Sequence, residues 1–598
     1  MAYRNGRDRA VASTDFAKLC PEVFRKRFLR ACFYQLILSY CVGVVASLNL
    51  RHGVFTILKA LFSTRTLVYT VVSYGAAVAV LLAHAYLYRV TRTTYDSHFP
   101  GLQRLLRNPV STGAVIGVYV ALAQAMFFVH RWISGGHSAR MWLYPEGQYG
   151  PPQLNPAWLA SWLLATATGA SYGVQLITNE RLQLSFPSIE QSRIHALRSR
   201  LPTCFSRAFG FSKAVVLLFW LVYFVFGWFF YRIACGLLAH VLTTTAYAVG
   251  NPLFSLSGVV FWIHSSTTMV ATWEIAHQVF EVIATEPTHI NELSRDSNLC
   301  LVNGLKHGKD QLVQHLAYQE LYRLVEFSPE RRVDIYTDID RSSGSMWKQI
   351  STQCIDVIKA ATAQLQAQQK AAADAANASK KPAKPAPETG KPATDPAAKS
   401  LSGAPIKPLL QQDSRSAANG TVGPARAAST TNTPAASTQA LFEPEAQGLE
   451  KYVLTLIWNT LTHSKLGENV LLWSLHARSM TAFANFQLQV WAVRSLMRLV
   501  ECSLEEDRYG VVQGDIGTVL EVVFAYMGAL EKCIGISEAG SGMRPFNVQT
   551  AARQPQMLAQ VVRNSTYAFT TRFYVHLESL KLPAEVARKL QAYADFKA

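Results

Sequence analysis

Apolar positions along this chain follow two regimes. Before Ala284 they form long runs, bounded in most cases by basic residues, and after it they recur three and four apart among polar neighbours. Ala31–Leu50 lies between Arg30 and Arg51, Thr66–Tyr88 between Arg65 and Arg89, and Asn108–His130 precedes Arg131. A fourth run centres on Trp158–Ile177, and a fifth, Ala214–Tyr231, lies between Lys213 and Arg232. Ile233–Trp273 is uncharged throughout, and Gly250-Asn251-Pro252 divides it with strong turn chemistry. A hydrocarbon core of about 30 Å takes about 20 helical residues. The pattern therefore predicts six spans, near 31–50, 66–88, 110–130, 158–177, 214–231 and 253–273, in a transmembrane domain over 31–283 behind a basic N-terminal segment, 1–30. Ile233–Val249 reads as a luminal extension of the fifth span, an interfacial helix or a further crossing.

The periodic regime predicts water-soluble helices. Val313, Ala317, Leu321 and Leu324 form one stripe, and Ser328-Pro329 starts a new helix. Trp347, Ile350, Cys354, Val357 and Ala361 form another stripe. Helices are expected over Leu449–Leu461, Phe483–Val500 and Ile516–Ile534, and from Leu558 onward, with Pro583 opening the last. Between these blocks, 362–444 is rich in Ala, Pro, Lys, Ser, Thr and Gln, a composition that buries too little apolar surface to offset chain entropy. It reads as a linker dividing one helical domain into 284–361 and 445–598, and within it GAPIKPLL, Gly403–Leu410, is a local apolar island. The expected class is all-α: a six-span polytopic membrane helix bundle followed by an all-α cytoplasmic or nucleoplasmic domain interrupted by a disordered linker.

Charge then sets an orientation. With six spans, eighteen Lys and Arg fall on the side of the termini and six on the other, so both termini are expected to face the cytoplasm or nucleoplasm. The first apolar run begins at residue 31 and reads as a signal anchor rather than a cleaved signal peptide. A net charge of +18 invites a nucleic-acid reading, but many of the cations flank spans, where topology and headgroups account for them, so no direct nucleic-acid binding is expected. Nine cysteines without a CxxC pair suggest neither zinc nor a disulfide framework. The sequons at Asn377, Asn419 and Asn564 all follow the last span and are expected to stay unmodified.

Motifs that carry chemistry are sparse. GLKHGKD, Gly304–Asp310, is one residue short of a phosphate loop and reads as a turn, and Glu505-Glu506-Asp507 reads as a solvated helix end. No Asp, Glu, Lys or Arg lies inside an expected span, where a transporter needs ionisable groups. His84 and His264 remain, each read as bonded to a neighbouring helix. Glu274 and His277 read equally as a functional pair or as a helix end leaving the membrane. GxxxG spacings at Gly113–Gly117 and Gly169–Gly173 are candidates for close helix packing. PSIEQSRIHALRSRL, Pro187–Leu201, reads equally as a helix on anionic headgroups or as a structured loop. No catalytic, cofactor-binding or metal-ligating set emerges, and the alternative to a non-enzymatic membrane protein is a polytopic transporter or membrane enzyme with a regulatory helical domain.

LAYQELYRLVEFSPERRVDIYTD, Leu316–Asp338, followed by WKQISTQCIDVI, resembles the first soluble segment of the Ndc-one (nuclear division cycle) family of transmembrane nucleoporins. EEDRYGVVQGDIGTVLEVVFAYMGALEKC, Glu505–Cys533, and the closing RNSTYAFTTRFYVHLESLKLPAEVARKLQAYADFKA extend the resemblance over nearly the whole chain apart from the linker. It marks Ser328, Pro329, Arg331, Arg332, Trp347, Asp507, Arg508, Tyr509, Gly510 and Val511 as structural motif residues. It implies a protein of the nuclear envelope that anchors the nuclear pore complex and supports its assembly, and in fungi also spindle pole body insertion. The implied partners are the lipid bilayer, inner-ring linker nucleoporins, other pore-membrane proteins and, in fungi, spindle pole body components. The stripe on 313–324 reads as core in preference to a partner groove.

Overall fold

The protein is described by a computed structural model over residues 14–47, 61–91, 105, 108–134, 143–144, 153–187, 191–238, 256–380, 480–539, 554–580 and 582–595. The apolar runs fold into α1 (Phe16–Ser47), α2 (Thr64–Leu87), α3 (Pro109–Ser134), α4 (Pro156–Thr178), α5 (Arg193–Leu237) and α6 (Leu256–Ala284). Between α3 and α4, the two-residue strands β1 (Leu143–Tyr144) and β2 (Gln153–Leu154) pair antiparallel. Asn155 caps α4 by accepting from the Ala157 and Trp158 amides, and Pro156 occupies the first turn, where a missing N–H costs nothing.

The expected six spans are corrected to four. Among the described residues, α1, α2, α3 and α5 are long and apolar enough to cross a membrane by length and composition; α4 and α6, on the runs at 158–177 and 253–273, fall short. The reason is where α6 lies. It packs against α1, α2, α3, α4 and α5, so every residue from Thr268 to His277 is buried by protein, and Ser265, Ser266, Thr268, Thr272, Glu274 and His277 replace hydrocarbon there. A helix covered by other helices can satisfy hydroxyls internally, as when Thr272 Oγ1 donates to the Thr268 carbonyl at 3.0 Å. In α4, Gly169 and Gly173 press on α3. A Cβ on Gly169 would lie 2.6 Å from the Tyr119 carbonyl oxygen, and one on Gly173 would lie 3.0 Å from Ile116 Cα. Gly113 and Gly117 of α3 meet open space, so that half of the expected pairing is absent.

α5 is one helix of 45 residues, about 68 Å of rise. It absorbs the expected fifth span, continues through residues 233–237, and begins at Arg193, inside the segment expected to be an interfacial helix or a loop. Ser192 caps it by accepting from the His195 amide.

Beyond α6 come α7 (Ser297–Leu305), α8 (Gln311–Phe327), α9 (Pro329–Thr337), α10 (Met346–Lys380), α11 (Phe486–Glu506), α12 (Ile516–Ala539), α13 (Gln554–Phe573) and α14 (Ala584–Ala594). Asp310, at the end of the GLKHGKD turn, caps α8 by accepting from the Leu312 amide at 2.9 Å, and Pro329 opens α9. The expected linker start at 362 is corrected. α10 runs on to Lys380, with Thr362 and Leu365 buried and Gln369 Nε2 donating to the Ala529 carbonyl at 2.8 Å, because Ala and Gln also favour helix where a neighbour covers one face. The helix expected over 449–461 and the island at 403–410 lie outside the described residues.

A single apolar core unites both sides of the long interruption: Val313, Ala317, Leu321, Leu324, Trp347 and Ile350 with Trp491, Leu496, Val519, Leu520 and Leu558. The two quoted motifs meet here. Arg332 forks onto Glu506, with Nη2 to Oε1 at 2.5 Å and Nε to Oε2 at 2.8 Å, while Nη1 donates to the Val325 carbonyl at 2.7 Å. Glu506, half-buried at the last position of α11, is thus an ion-pair partner, whereas Glu505 beside it stays exposed as the expected solvated helix end. Trp347 Nε1 donates to Asp515 at 3.0 Å, and Tyr336 donates to the Leu499 carbonyl at 2.7 Å. Asp507 folds the following loop by accepting from the Tyr509 and Val512 amides, and Gly510, at φ +67°, supplies the left-handed turn.

Arg332→Ala strands the Glu506 carboxylate, and the expected loss is about 3 kcal/mol, the low end for a broken buried pair because Glu506 keeps some solvent. The R332M/E506L double variant should regain most of it. Thermal unfolding of the full chain in detergent checks this, and a Tm for Arg332→Ala equal to wild type would contradict it.

Candidate functional site

The site that follows from this fold is the junction between bundle and helical domain, which belong to one compact unit. The first turns of α1 leave the bundle and enter the core of the domain. Phe16 is fully buried there against Gly304, where an added Cβ would stand 2.8 Å from both the Phe16 ring and the Ala317 methyl. Asn303 Nδ2 adds a bond to the Thr14 carbonyl at 3.1 Å. Burying one phenyl ring stabilises such a contact by roughly 2–3 kcal/mol.

Two further connections dock on the same core. The segments at Arg89 and Leu182–Leu184 exchange backbone bonds of 3.0 and 2.8 Å. They carry Val90 and Leu184 into the domain core, and Phe186 stacks on His315 and meets Trp491 edge-on.

The elbow after α6 is held from three sides. Arg27 of α1 donates through Nη1 to the Ala284 carbonyl at 3.1 Å and through Nη2 to the Pro287 carbonyl at 3.0 Å. A cation thus satisfies the orphan carbonyls at a helix C-terminus, where the dipole favours it. Glu286 takes ion pairs from Arg30 and from Arg193 at the start of α5. From the domain side, Gln319 Nε2 donates to the Thr285 carbonyl at 3.3 Å. Glu320 accepts from the Asn291 amide at 3.0 Å and from the Thr288 hydroxyl at 3.3 Å. Burial pushes the Glu320 carboxyl up to about 7, against the lowering effect of these donors.

Inside the bundle, Glu274 and His277 are buried rather than at a helix end, and they bond to other residues instead of to each other. Glu274 pairs with Arg181 and accepts from Tyr172 at 3.1 Å. His277 lies 2.8 Å from Tyr119 Oη and 2.9 Å from His84 Nδ1, so His84 is bonded to a neighbouring helix. His264 packs its ring 5.4 Å from that of His130. This network ties α2, α3, α4 and α6 together immediately below the junction.

The motif residues divide by placement. Arg332, Trp347, Asp507, Gly510 and Val511 build the domain interior or its turn, Ser328 and Pro329 start α9, and Arg331 bonds to Asn298 and Asp334. Arg508 and Tyr509 point to solvent. Among the described residues, no group of three or more His, Cys, Asp or Glu side chains is gathered as a metal site. Sequence reasoning missed Phe16, Arg27 and Glu320. Arg27 sits among Arg25, Lys26 and Arg30 and looks topogenic, whereas Glu320 had a legible signal: an acid three after Ala317 and four before Leu324, on the buried face of α8.

Because the Glu320 pKa is raised from 4.5 to about 7, the folded chain holds a proton there that the unfolded chain releases. Its contribution to stability is therefore present below about pH 4.5 and lost as pH rises toward 7. His315, which burial pushes down to about 4, gives the opposite slope between its two pKa values, so the comparison must be with Glu320→Gln. The expected result is that the stability of wild type relative to Glu320→Gln falls between pH 5 and 7 in thermal unfolding. A pH-independent difference would contradict it.

The family model described as nucleoporin protein Ndc1-Nup matches residues 22–591. Nucleoporin NDC1 of Xenopus laevis is 26% identical over 518 residues, covering 74% of this chain and 77% of that protein. Nucleoporin NDC1 of Homo sapiens is 23% identical over 525 residues, covering 74% and 76%. The nuclear envelope protein ndc1 of Schizosaccharomyces pombe is 24% identical over 346 residues, covering 56% and 55%. A family match over nearly the whole length, on a membrane helix bundle fused to an all-helical domain, establishes that this chain belongs to the Ndc1-Nup family of membrane nucleoporins.

Proposed function

We propose that the protein anchors the nuclear pore scaffold to the pore membrane and supports pore assembly, acting by holding surfaces in place and not by catalysis. The observation that carries this reading is the junction. Phe16, Arg27 and Glu320 couple the helical domain to the membrane bundle without a slack tether, so a load on the domain passes to the bilayer. Raising the local concentration of scaffold partners at a membrane needs such a coupling and no reacting group.

The partners fitted by this role are inner-ring linker nucleoporins and other pore-membrane proteins, with spindle pole body components added in fungi. Arg508 and Tyr509, solvent-facing in a turn that Asp507 and Gly510 hold rigid, are offered as one contact point. Thr14 and Phe16 pack on the helical domain, which supports termini on one side of the membrane, the cytoplasmic and nucleoplasmic side.

The full chain with a fluorescent C-terminal tag is expected to mark a punctate nuclear rim, to co-purify inner-ring nucleoporins in mild detergent and to carry no sugar at Asn564. A plasma-membrane signal, or a glycosylated Asn564, would contradict the reading.

A further inference from the structure

α5 is the most exposed helix of the bundle. One stripe along it, including Cys204, Ala208, Ser212, Val216, Phe219 and Tyr223, is buried, and the remaining faces are open. Over the apolar part those open faces carry Leu217, Leu221 and Phe224, the surface a bilayer covers. The same open character continues N-terminally past the charged Lys213. Phe209 and Phe205 are 50% and 38% exposed, although they precede the apolar run.

Two large phenyl groups left open beside cations are costly in water and favourable in the interfacial layer, where the ring sits among acyl ends and the cation among phosphates. From 193 to 213 the helix carries five Lys and Arg and no Asp or Glu. Arg193 and Arg200 are taken up by Glu286 and Glu281. Arg207 and Lys213 are exposed and have no carboxylate at ion-pair distance among the described residues, and the Lys213 ammonium lies 5.8 Å from the Phe209 ring centre. Lipid surrounds every open face of such a helix, so the two cations need not share one.

We propose that Phe205, Arg207, Phe209 and Lys213 of α5 form an interfacial site for anionic phospholipid headgroups, on the side of the membrane that carries the helical domain. The side follows from Arg193, whose ion pair with Glu286 sets the start of α5 beside the junction. The depth follows from helix geometry. Lys213 lies about 1.5 Å and Arg207 about 10 Å along the axis from Ala214, where the apolar run begins, within reach of the headgroup layer once the side chains extend. Arg198 lies about 24 Å away, beyond the screening length of roughly 8 Å at physiological salt, and so stands outside the site.

The inference needs only that the chain resides in a bilayer, so it stands or falls separately from scaffold anchoring. The test uses the full chain reconstituted in phosphatidylcholine vesicles with spin-labelled phosphatidylserine or phosphatidylcholine, reading the motionally restricted fraction of each by electron spin resonance. Wild type is expected to select the anionic lipid about fivefold or more, the scale of one cation at a charged membrane surface. R207Q/K213Q should lower that selectivity by roughly threefold or more, while Arg198→Gln should leave it unchanged. Both variants alter exposed side chains, and an unchanged Tm confirms that they fold. Absence of selectivity in wild type overturns the proposal. So does selectivity that survives in R207Q/K213Q, which would leave these cations to an acidic protein surface, or selectivity that falls equally in Arg198→Gln.

Discussion

The structure depends on how polar backbone is satisfied where a membrane helix ends inside protein. The last turn of α6 presents carbonyls with no helical partner at a place with little water, and Arg27 from α1 covers that of Ala284 and, three residues beyond the helix, that of Pro287. That one guanidinium joins the first helix of the chain to the last helix of the bundle, across 257 positions. With the elbow fixed, Gln319 and Glu320 can meet Thr285, Thr288 and Asn291, and the domain core closes over Phe16. Without it, buried backbone groups would need water, and the domain would hang from a tether.

The bundle follows a related rule. Hydropathy is a good guide to helices that face lipid, because each exposed polar group in hydrocarbon is costly. It is a poor guide to a helix that faces only protein. α6 can hold polar side chains because Glu274 and His277 bond to other helices while Ser265, Thr268 and Thr272 donate to carbonyls of α6 itself, and run length alone could not reveal that Thr268–His277 would be wholly enclosed. The existence of the helices was legible in the apolar runs, whereas the number apolar enough to cross was not. Gly169 and Gly173 illustrate the same point. Their spacing was visible, but that they press on α3 while Gly113 and Gly117 face open space depends on rotation about the helix axis, which spacing does not contain.

In the helical domain, periodicity was the better guide. The 313–324 stripe, the start at Pro329, the stripe from Trp347 and the helices at 486–506 and 516–539 follow from apolar positions three and four apart. What periodicity could not supply was pairing across the interruption. Arg332 with Glu506 and Trp347 with Asp515 bind segments about 170 residues apart. Composition likewise ended the ordered chain too early, since α10 continues to Lys380 and Gln369 on it reaches the Ala529 carbonyl. Of the junction, only Glu320 could have been singled out from sequence, by its position on an apolar face.

The central claim is that residues 285–293 are a clamped elbow and not a tether. Hydrogen–deuterium exchange of the full chain in detergent tests it most directly. The hydrogen-bonded amides of the elbow, Thr285, Leu293 and above all Asn291, should exchange as slowly as those in the middle of α8, and Arg27→Ala should release them. Exchange in wild type as fast as in an exposed loop would contradict the account.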